Sequence, residues 1–336
     1  MTPTNLIAVV GTCAPERAQY AGRLAARTGL AHLPLARLAM SPDPIDEAEA
    51  LAPWSHEQGG AVAELPPAIA PTAIIGRYAR ADSPVRLIGL VCVVDAAHLI
   101  SDLARDDYLT VWGSDGERMH RARALATATQ IEYATTVVLA NWESLATPDL
   151  STVLAIVSAL GPTARIRLDP SPYPAVELAT PITQVQDRPG WIGLLNDDHE
   201  PHMTDRRVSA FRYEAARPFH PARLEALLDD RVEPGDFGTV LRSAGFCRLA
   251  TRPGTVAHWE HVGSMLSLPP LSDDGDIGDD EELLAAGQDI AFFGLDLDRP
   301  ALVRALDAAC LTDAEFAAGP DAWRSYEDPF PAWERA

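Results

Sequence analysis

Asn5–Val10 is a short apolar run, followed by Gly11-Thr12-Cys13-Ala14-Pro15-Glu16-Arg17 and then a helical pattern through Leu24 to Thr28. Strand, glycine turn, helix is the arrangement in which successive backbone N–H groups wrap phosphate oxygens and a nearby cation supplies charge. Gly11 gives the turn its freedom, and Arg17 is the cation on offer. Glu16, however, puts a carboxylate where phosphate oxygens would lie, and Pro15 removes an N–H donor. Arg17 also lacks the compact geometry of a lysine ammonium. The shape of a phosphate loop is present, and its donors are degraded.

A second group of residues has the chemistry of metal ligands. Asp197-Asp198-His199-Glu200-Pro201-His202 sets two histidines among three carboxylates, so Asp198, His199 and His202 are the candidates for a divalent ion. His56 and Glu57 stand alone in Pro53–Val62, and two ligands do not make a site. His258-Trp259-Glu260-His261 falls in an alternating pattern, which as a strand turns its two histidines to opposite faces and reads as structural. Cys13, Cys92, Cys247 and Cys310 are scattered, with no CxxC pair, and fit reduced core thiols.

These residues need elements to position them. Ala61–Leu65 is a short strand ending at Glu64, and Arg86–Asp95 is a nearly continuous apolar run that predicts a strand buried on both faces. Glu117–Thr135 predicts an amphipathic helix, Val137–Leu139 a strand, Asp149–Leu160 a helix and Ala164–Leu168 a last strand. Strands alternating with helices predict an α/β fold with a doubly wound, mostly parallel sheet. Residues 169–206 carry prolines at 170, 172, 174, 181, 189 and 201 and read as a linker. Beyond it, Val208–Tyr213 alternates as a strand, Arg217-Pro218-Phe219-His220-Pro221 is a rigid turn, and Pro221 opens a helix over Ala222–Asp230. Gly245–Ala250 is a second apolar run, and Gln288–Asp313 reads as a strand and then a helix. Ser272–Glu282 holds seven acidic residues without the spacing of a calcium loop and reads as a solvated loop. Trp323, Tyr326, Phe330 and Trp333 form an aromatic tail expected to strap onto the protein's own core.

The strand, RPFHP turn, helix and RSAGF strand over residues 207–253, continued by QDIAFFGLDLDRPALVRALDAACLTD, resemble the C-terminal domain of the CobW-like family of P-loop GTPases and zinc metallochaperones. That resemblance implies a P-loop-GTPase-like domain over 1–168, a linker over 169–206 and a smaller α+β CobW-type domain over 207–336 carrying the acidic loop 272–282. It also implies where the family's chemistry should fall. Its GxxGxGK[ST] loop maps onto Gly11–Ala18, placing Arg17 on the lysine and Ala18 on the Mg²⁺ ligand. Its GCxCC zinc motif has no cysteine counterpart in Pro53–Val62. Glu64 matches the glutamate that closes a Walker-B-like strand, and Asp95 belongs to a closely similar VVDA block. The guanine-reading NKxD falls on Asn141-Trp142-Glu143-Ser144, where Asn141 keeps the first position or Glu143 the last, never both. Gly11, Arg17, Glu64, Asp95 and Asn141 are therefore the remnant nucleotide-binding residues, with no catalytic residue assigned.

The family's cofactors are GTP, Mg²⁺ and Zn²⁺, but with their ligands replaced none is assigned to this chain. The resemblance implies a pseudo-GTPase acting as adaptor or scaffold in zinc homeostasis or zinc starvation. Its partner is expected to be a protein, with a ribosome or hibernation factor as the form that related proteins imply. The alternative is a GTP-dependent zinc metallochaperone with non-standard motifs. The 336 residues carry a formal net charge of −21. That excludes a general nucleic-acid binder, which needs a basic surface. No apolar run is long enough to span a bilayer and no basic flank precedes the first apolar run, so a cytoplasmic protein is expected.

Overall fold

The computed structural model describes residues 3–112, 118–170, 189–273 and 287–333. The chain divides into two compact units, one of Met1–Gly190 with Glu200–Thr204 and the other of Trp191–His199 with Asp205–Ala336.

The first unit is built on β1 (Thr4–Val10), β2 (Ala31–Leu33), β3 (Ala61–Glu64), β4 (Val85–Asp95), β5 (Tyr108–Trp112), β6 (Arg118–Ala122), β7 (Thr136–Ala140) and β8 (Arg165–Leu168). Six of them form a wholly parallel sheet in the order β2-β3-β1-β4-β7-β8. Its central strands are unbroken apolar runs because helices cover both faces. The helix Ala14–Thr28 lays Tyr20, Ala21, Leu24 and Ala25 on one face, against Ile7, Val9, Val62, Val91, Val93 and Val138. Pro15 lies in its first turn and Gly29 closes it in the left-handed conformation (φ 71°), the proline-in, glycine-out signature of a helix. Asp43 caps the next long helix, Pro44–Leu51, accepting hydrogen bonds from the N–H groups of Ile45 and Asp46.

The sheet bears out the doubly wound expectation, but one element differs. The single helix predicted over 117–135 is a strand, β6, followed by the helix Arg123–Tyr133. β6 pairs antiparallel with β5 in a hairpin of its own, Tyr108 opposite Ala122. No breaker residue separates strand from helix, so local periodicity merged them.

The second unit holds β9 (Val208–Ala215), β10 (Thr239–Cys247), β11 (Thr255–Val262), β12 (Met265–Ser267), β13 (Pro270–Asp273) and β14 (Gln288–Leu295). They pair antiparallel in the order β12-β11-β10-β14-β9, with β13 also on β11. Helices Pro221–Leu227 and Arg299–Ala309 cover the face formed by Phe211, Tyr213, Trp259 and Phe292 through Leu224, Leu227, Leu302 and Leu306. This is an α+β arrangement. The run predicted over Gly245–Ala250 is the end of a longer strand that begins at Thr239, with Leu249 and Ala250 beyond it.

In the stretch predicted as a linker, residues 171–188 lie outside the described residues, and Gly190–Leu195 form a short helix whose Trp191 meets Phe246 edge-on at 6.2 Å. Residues 274–282 of the acidic loop also lie outside them. The aromatic tail does strap onto its own unit. Trp333 donates its indole N–H to the Leu268 carbonyl (2.7 Å), Tyr326 stacks on His220 at 4.8 Å, and Trp323 is buried.

Candidate functional site

Parallel strands bring their carboxyl ends to one edge, and ligands of such sheets bind where the strand order reverses. Here β3 and β4 flank β1 on opposite sides, so the reversal lies between β1 and β4. All five residues predicted as nucleotide-binding remnants arrive at that edge. Gly11 and Arg17 come from the turn after β1, Glu64 ends β3, Asp95 ends β4, and Asn141 follows β7.

The crevice at the reversal is tight. Gly11 has φ 146°, and a Cβ there would stand 2.4 Å from the Val93 carbonyl oxygen of β4. Only glycine fits this approach. The Cys13 thiol, two residues later, donates to the same carbonyl at 3.2 Å. Burial, with the Glu16 carboxylate adding to it, pushes the Cys13 thiol up to about 12, so it is no nucleophile at neutral pH.

Arg17 does not face the crevice as a phosphate ligand. Its guanidinium is sealed, with the side chain 1% exposed, donating from Nε to Glu64 Oε1 at 3.1 Å and from a terminal nitrogen to the Gly11 carbonyl. Glu64 spends its other oxygen on the Leu35 backbone N–H at 3.2 Å. The cation and the carboxylate that the sequence set aside for phosphate and magnesium have found each other, which corrects the reading of Arg17 as a charge offered to a ligand. Asn141, in the left-handed conformation at φ 57°, donates from Nδ2 to Glu16 Oε1 at 3.2 Å. The first turn of the helix thus holds the chain's own carboxylate where an anion would be drawn by the helix dipole. Asp95 accepts from the Ala97 N–H and pairs with His98 Nδ1 at 2.7 Å, which holds the exposed imidazole above its ordinary value. Trp142 points its indole N–H at the Asp169 carbonyl (3.2 Å), a packing role.

These residues do not fit a nucleoside triphosphate with magnesium. Pro15 lacks an N–H, Ala18 lacks the hydroxyl, and the only cation of the turn is committed to Glu64. The sequence contains no lysine at all, its 27 basic residues being arginine, so no other part of this chain supplies the missing ammonium. That signal was readable in the composition. The Glu16–Asn141 contact and the Arg17–Glu64 pair were not, because they join segments 125 and 47 residues apart.

The metal candidates have neighbours of their own within their units. His202 Nδ1 shares a hydrogen bond with Ser158 Oγ at 3.1 Å, while His199 lies edge-on to Phe293 at 5.7 Å and Asp198 has its Oδ1 close to Gly193. Among the described residues no group of three or more histidine, cysteine or acidic side chains is placed to hold a metal ion. His56 and Glu57 are exposed on a short helical turn. His258 and His261 do lie on one strand, β11, and His261 is buried, with Nδ1 at 3.3 Å from Ser243 Oγ. Among the described residues, no helix is long and apolar enough to cross a membrane.

One chain therefore joins a doubly wound α/β unit, with a glycine turn after its first strand, to an antiparallel α+β unit. Residues 208–310 match the family model of the cobalamin synthesis protein cobW C-terminal domain. That match lies within the second unit, over β9 to the helix Arg299–Ala309.

It is 26% identical over 225 residues to the zinc-regulated GTPase metalloprotein activator 1 of Dictyostelium discoideum, covering 60% of this chain and 46% of that protein. It is 29% identical over 275 residues to a zinc chaperone of Mycobacterium tuberculosis, covering 74% of this chain and 62% of the relative. The chain thus spans about half to three-fifths of the length of these relatives. The Zn(II)-bound YjiA GTPase from E. coli aligns over 93% of this chain and all of its own at 12% identity, with a TM-score of 0.36, a likeness too distant to bear on the fold.

Proposed function

We propose that this CobW-like protein is a pseudo-GTPase that acts in zinc homeostasis or the zinc-starvation response as an adaptor, through protein–protein contact. The observation that carries the reading is the Arg17–Glu64 pair, sealed from solvent at the place where phosphate and magnesium would have to enter. Opening it would give up the Arg17 bonds to Glu64 and to the Gly11 carbonyl, charge-assisted contacts of the stronger kind. A triphosphate would have to offset that loss before gaining any contact of its own. The zinc context comes from the names of the relatives. The partner is a protein, and a ribosome or hibernation factor is the form that the family resemblance implies.

The second reading, a GTP-dependent zinc metallochaperone with altered motifs, is favoured by the same names, a zinc-regulated GTPase metalloprotein activator and a zinc chaperone. Calorimetric titration of metal-stripped protein with GTP and Mg²⁺, run beside a phosphate-release assay, separates the two. The adaptor reading expects no saturable heat and no turnover. Micromolar binding with turnover that falls in Arg17→Ala would replace it with the chaperone.

A further inference from the structure

The strap on the second unit is held the way a bound peptide is held. After the short helix Pro320–Trp323, residues 326–333 read Tyr-Glu-Asp-Pro-Phe-Pro-Ala-Trp. Tyr326, Asp328, Phe330 and Trp333 are half-buried, while Glu327, Pro329, Pro331 and Ala332 are exposed. An extended chain turns successive side chains to opposite sides, and the inward set 326, 328, 330 follows that alternation. The two prolines fix φ and carry no N–H, which keeps the segment from being drawn into a ladder of main-chain bonds. Tyr326 packs on Ala250, Leu311 and Trp323, and Phe330 and Trp333 pack on the main core of the unit.

The groove beneath the strap is organised on Arg252. Its guanidinium grips both oxygens of Asp328 at 2.9 and 3.0 Å, reaches the Phe330 carbonyl at 2.9 Å, and lies over the Trp333 ring at 4.4 Å. The Thr251 hydroxyl donates to the same carboxylate. At the two ends, His220 stacks on Tyr326 at 4.8 Å and the Leu268 carbonyl accepts the Trp333 indole N–H at 2.7 Å. One arginine thus reads a carboxylate, a main-chain carbonyl and an aromatic ring, contacts by which arginines select acidic segments. The strap leaves part of this groove unused. Arg252 Nη1 and His220 Nδ1 are buried without a hydrogen-bond partner among the described residues. Buried polar atoms are nearly always paired, so two left over beneath one strap mark an occupant that fits incompletely.

We propose that the Arg252 groove is a recognition site for an acidic, aromatic segment of a protein partner, and that the strap is its internal stand-in, displaced when the partner binds. The segment carries an aspartate for the guanidinium fork, an aromatic residue two positions on and a tryptophan three further. The formal net charge of −21 repels acidic chains at long range, so only a segment that satisfies Arg252 is retained. A second copy of this chain is disfavoured as the occupant. Exchanged straps would make the same contacts while giving up the high local concentration of a tethered segment. A strap that serves only to cover the core accounts for Phe330 and Trp333, but not for the two unpaired nitrogens.

This partner class rests on the adaptor reading, yet the groove uses none of the residues around Arg17, so the two fail separately. The full chain is titrated by fluorescence anisotropy with a labelled peptide reproducing residues 326–333, and with its counterpart carrying asparagine in place of aspartate. The parent chain should bind the first peptide saturably. Asp328→Ala, whose own strap has lost its hold on the fork, should bind it several-fold more tightly. The asparagine peptide should bind roughly tenfold more weakly or worse, and Arg252→Ala should lose binding. Excess unlabelled peptide should also speed proteolysis within the parent's own residues 326–333 several-fold, because a displaced strap is open to cleavage. No binding by the parent or by Asp328→Ala, equal binding of the asparagine peptide, or binding that leaves strap cleavage unchanged would each overturn the proposal. So would a parent chain that light scattering shows to be a dimer dispersed by Arg252→Ala, since the occupant would then be a second copy. GTP binding with turnover on the same sample would sink the adaptor reading and leave the groove standing.

Discussion

Arg17 Nε stands 3.1 Å from Glu64 Oε1, and the two side chains are 1% and 5% exposed. This pair sets the strongest prediction. Arg17→Ala should destabilise the first unit by about 3–5 kcal/mol, because Glu64 is left as an uncompensated buried charge. Joint replacement by apolar residues of similar size, Arg17→Met with Glu64→Leu, should recover most of that loss. Urea unfolding of the two single variants and the double variant gives the coupling directly. A phosphate-binding Arg17 predicts the opposite, since its removal would leave stability unchanged and lower only nucleotide affinity. Additive losses in the cycle would show that the pair carries no coupling.

The contrast between the frame and the site shows what the sequence could reveal. Arg86–Asp95 is read as a buried strand because nothing in it is polar between its ends, and the structure has β4 at Val85–Asp95. Pro15 and Gly29 bracket the first helix by backbone chemistry alone. The missing lysine, hydroxyl and cysteines are equally plain, since absence of a ligand needs no coordinates. What the first unit did with the residues that remain was hidden. Whether Arg17 points to solvent or inward depends on where Glu64 lies after an intervening strand and three helical segments, and no local pattern records that. Likewise the His199–His202 cluster looked like one site in the chain, whereas backbone folding gives His202 to Ser158 and His199 to Phe293. The β5–β6 hairpin escaped for a related reason, as its strand pairing lies outside the window that defines a helical period.

Arg252 is the residue that fastens the C-terminal strap. It donates from Nε and a terminal nitrogen to the two oxygens of Asp328 (2.9 and 3.0 Å), reaches the Phe330 carbonyl at 2.9 Å, and lies over the Trp333 ring at 4.4 Å. Bidentate pairing of this kind is stronger than an ordinary surface ion pair, and here both partners are largely shielded. Arg252→Ala should cost about 1–2 kcal/mol and release the tail from Tyr326 onward. Limited proteolysis should then cut within 326–333 several-fold faster while the rest of the second unit stays resistant. Cutting at the parent rate would mean that Trp333 and its bond to Leu268 hold the strap unaided.

His261 makes the stability of the second unit sensitive to acid. The side chain is buried on β11, its Nδ1 facing Ser243 Oγ, which in turn accepts the Trp259 indole N–H at 2.8 Å. Burial, reinforced by the Arg242 guanidinium, lowers the imidazole from 6.5 to about 4. The unfolded chain therefore binds a proton at this site between those two values while the folded chain does not. By linkage, the stability from keeping His261 neutral is fully present above about pH 6.5, falls as pH drops through the window, and reaches its floor near pH 4. The whole effect is on the order of 3 kcal/mol. Urea midpoints of the full chain, followed by tryptophan fluorescence, should decline from pH 7 to pH 5. His261→Gln should be less stable at pH 7, yet show a shallower decline over the same window. A variant whose midpoint falls as steeply as the parent's would assign the acid sensitivity to another group.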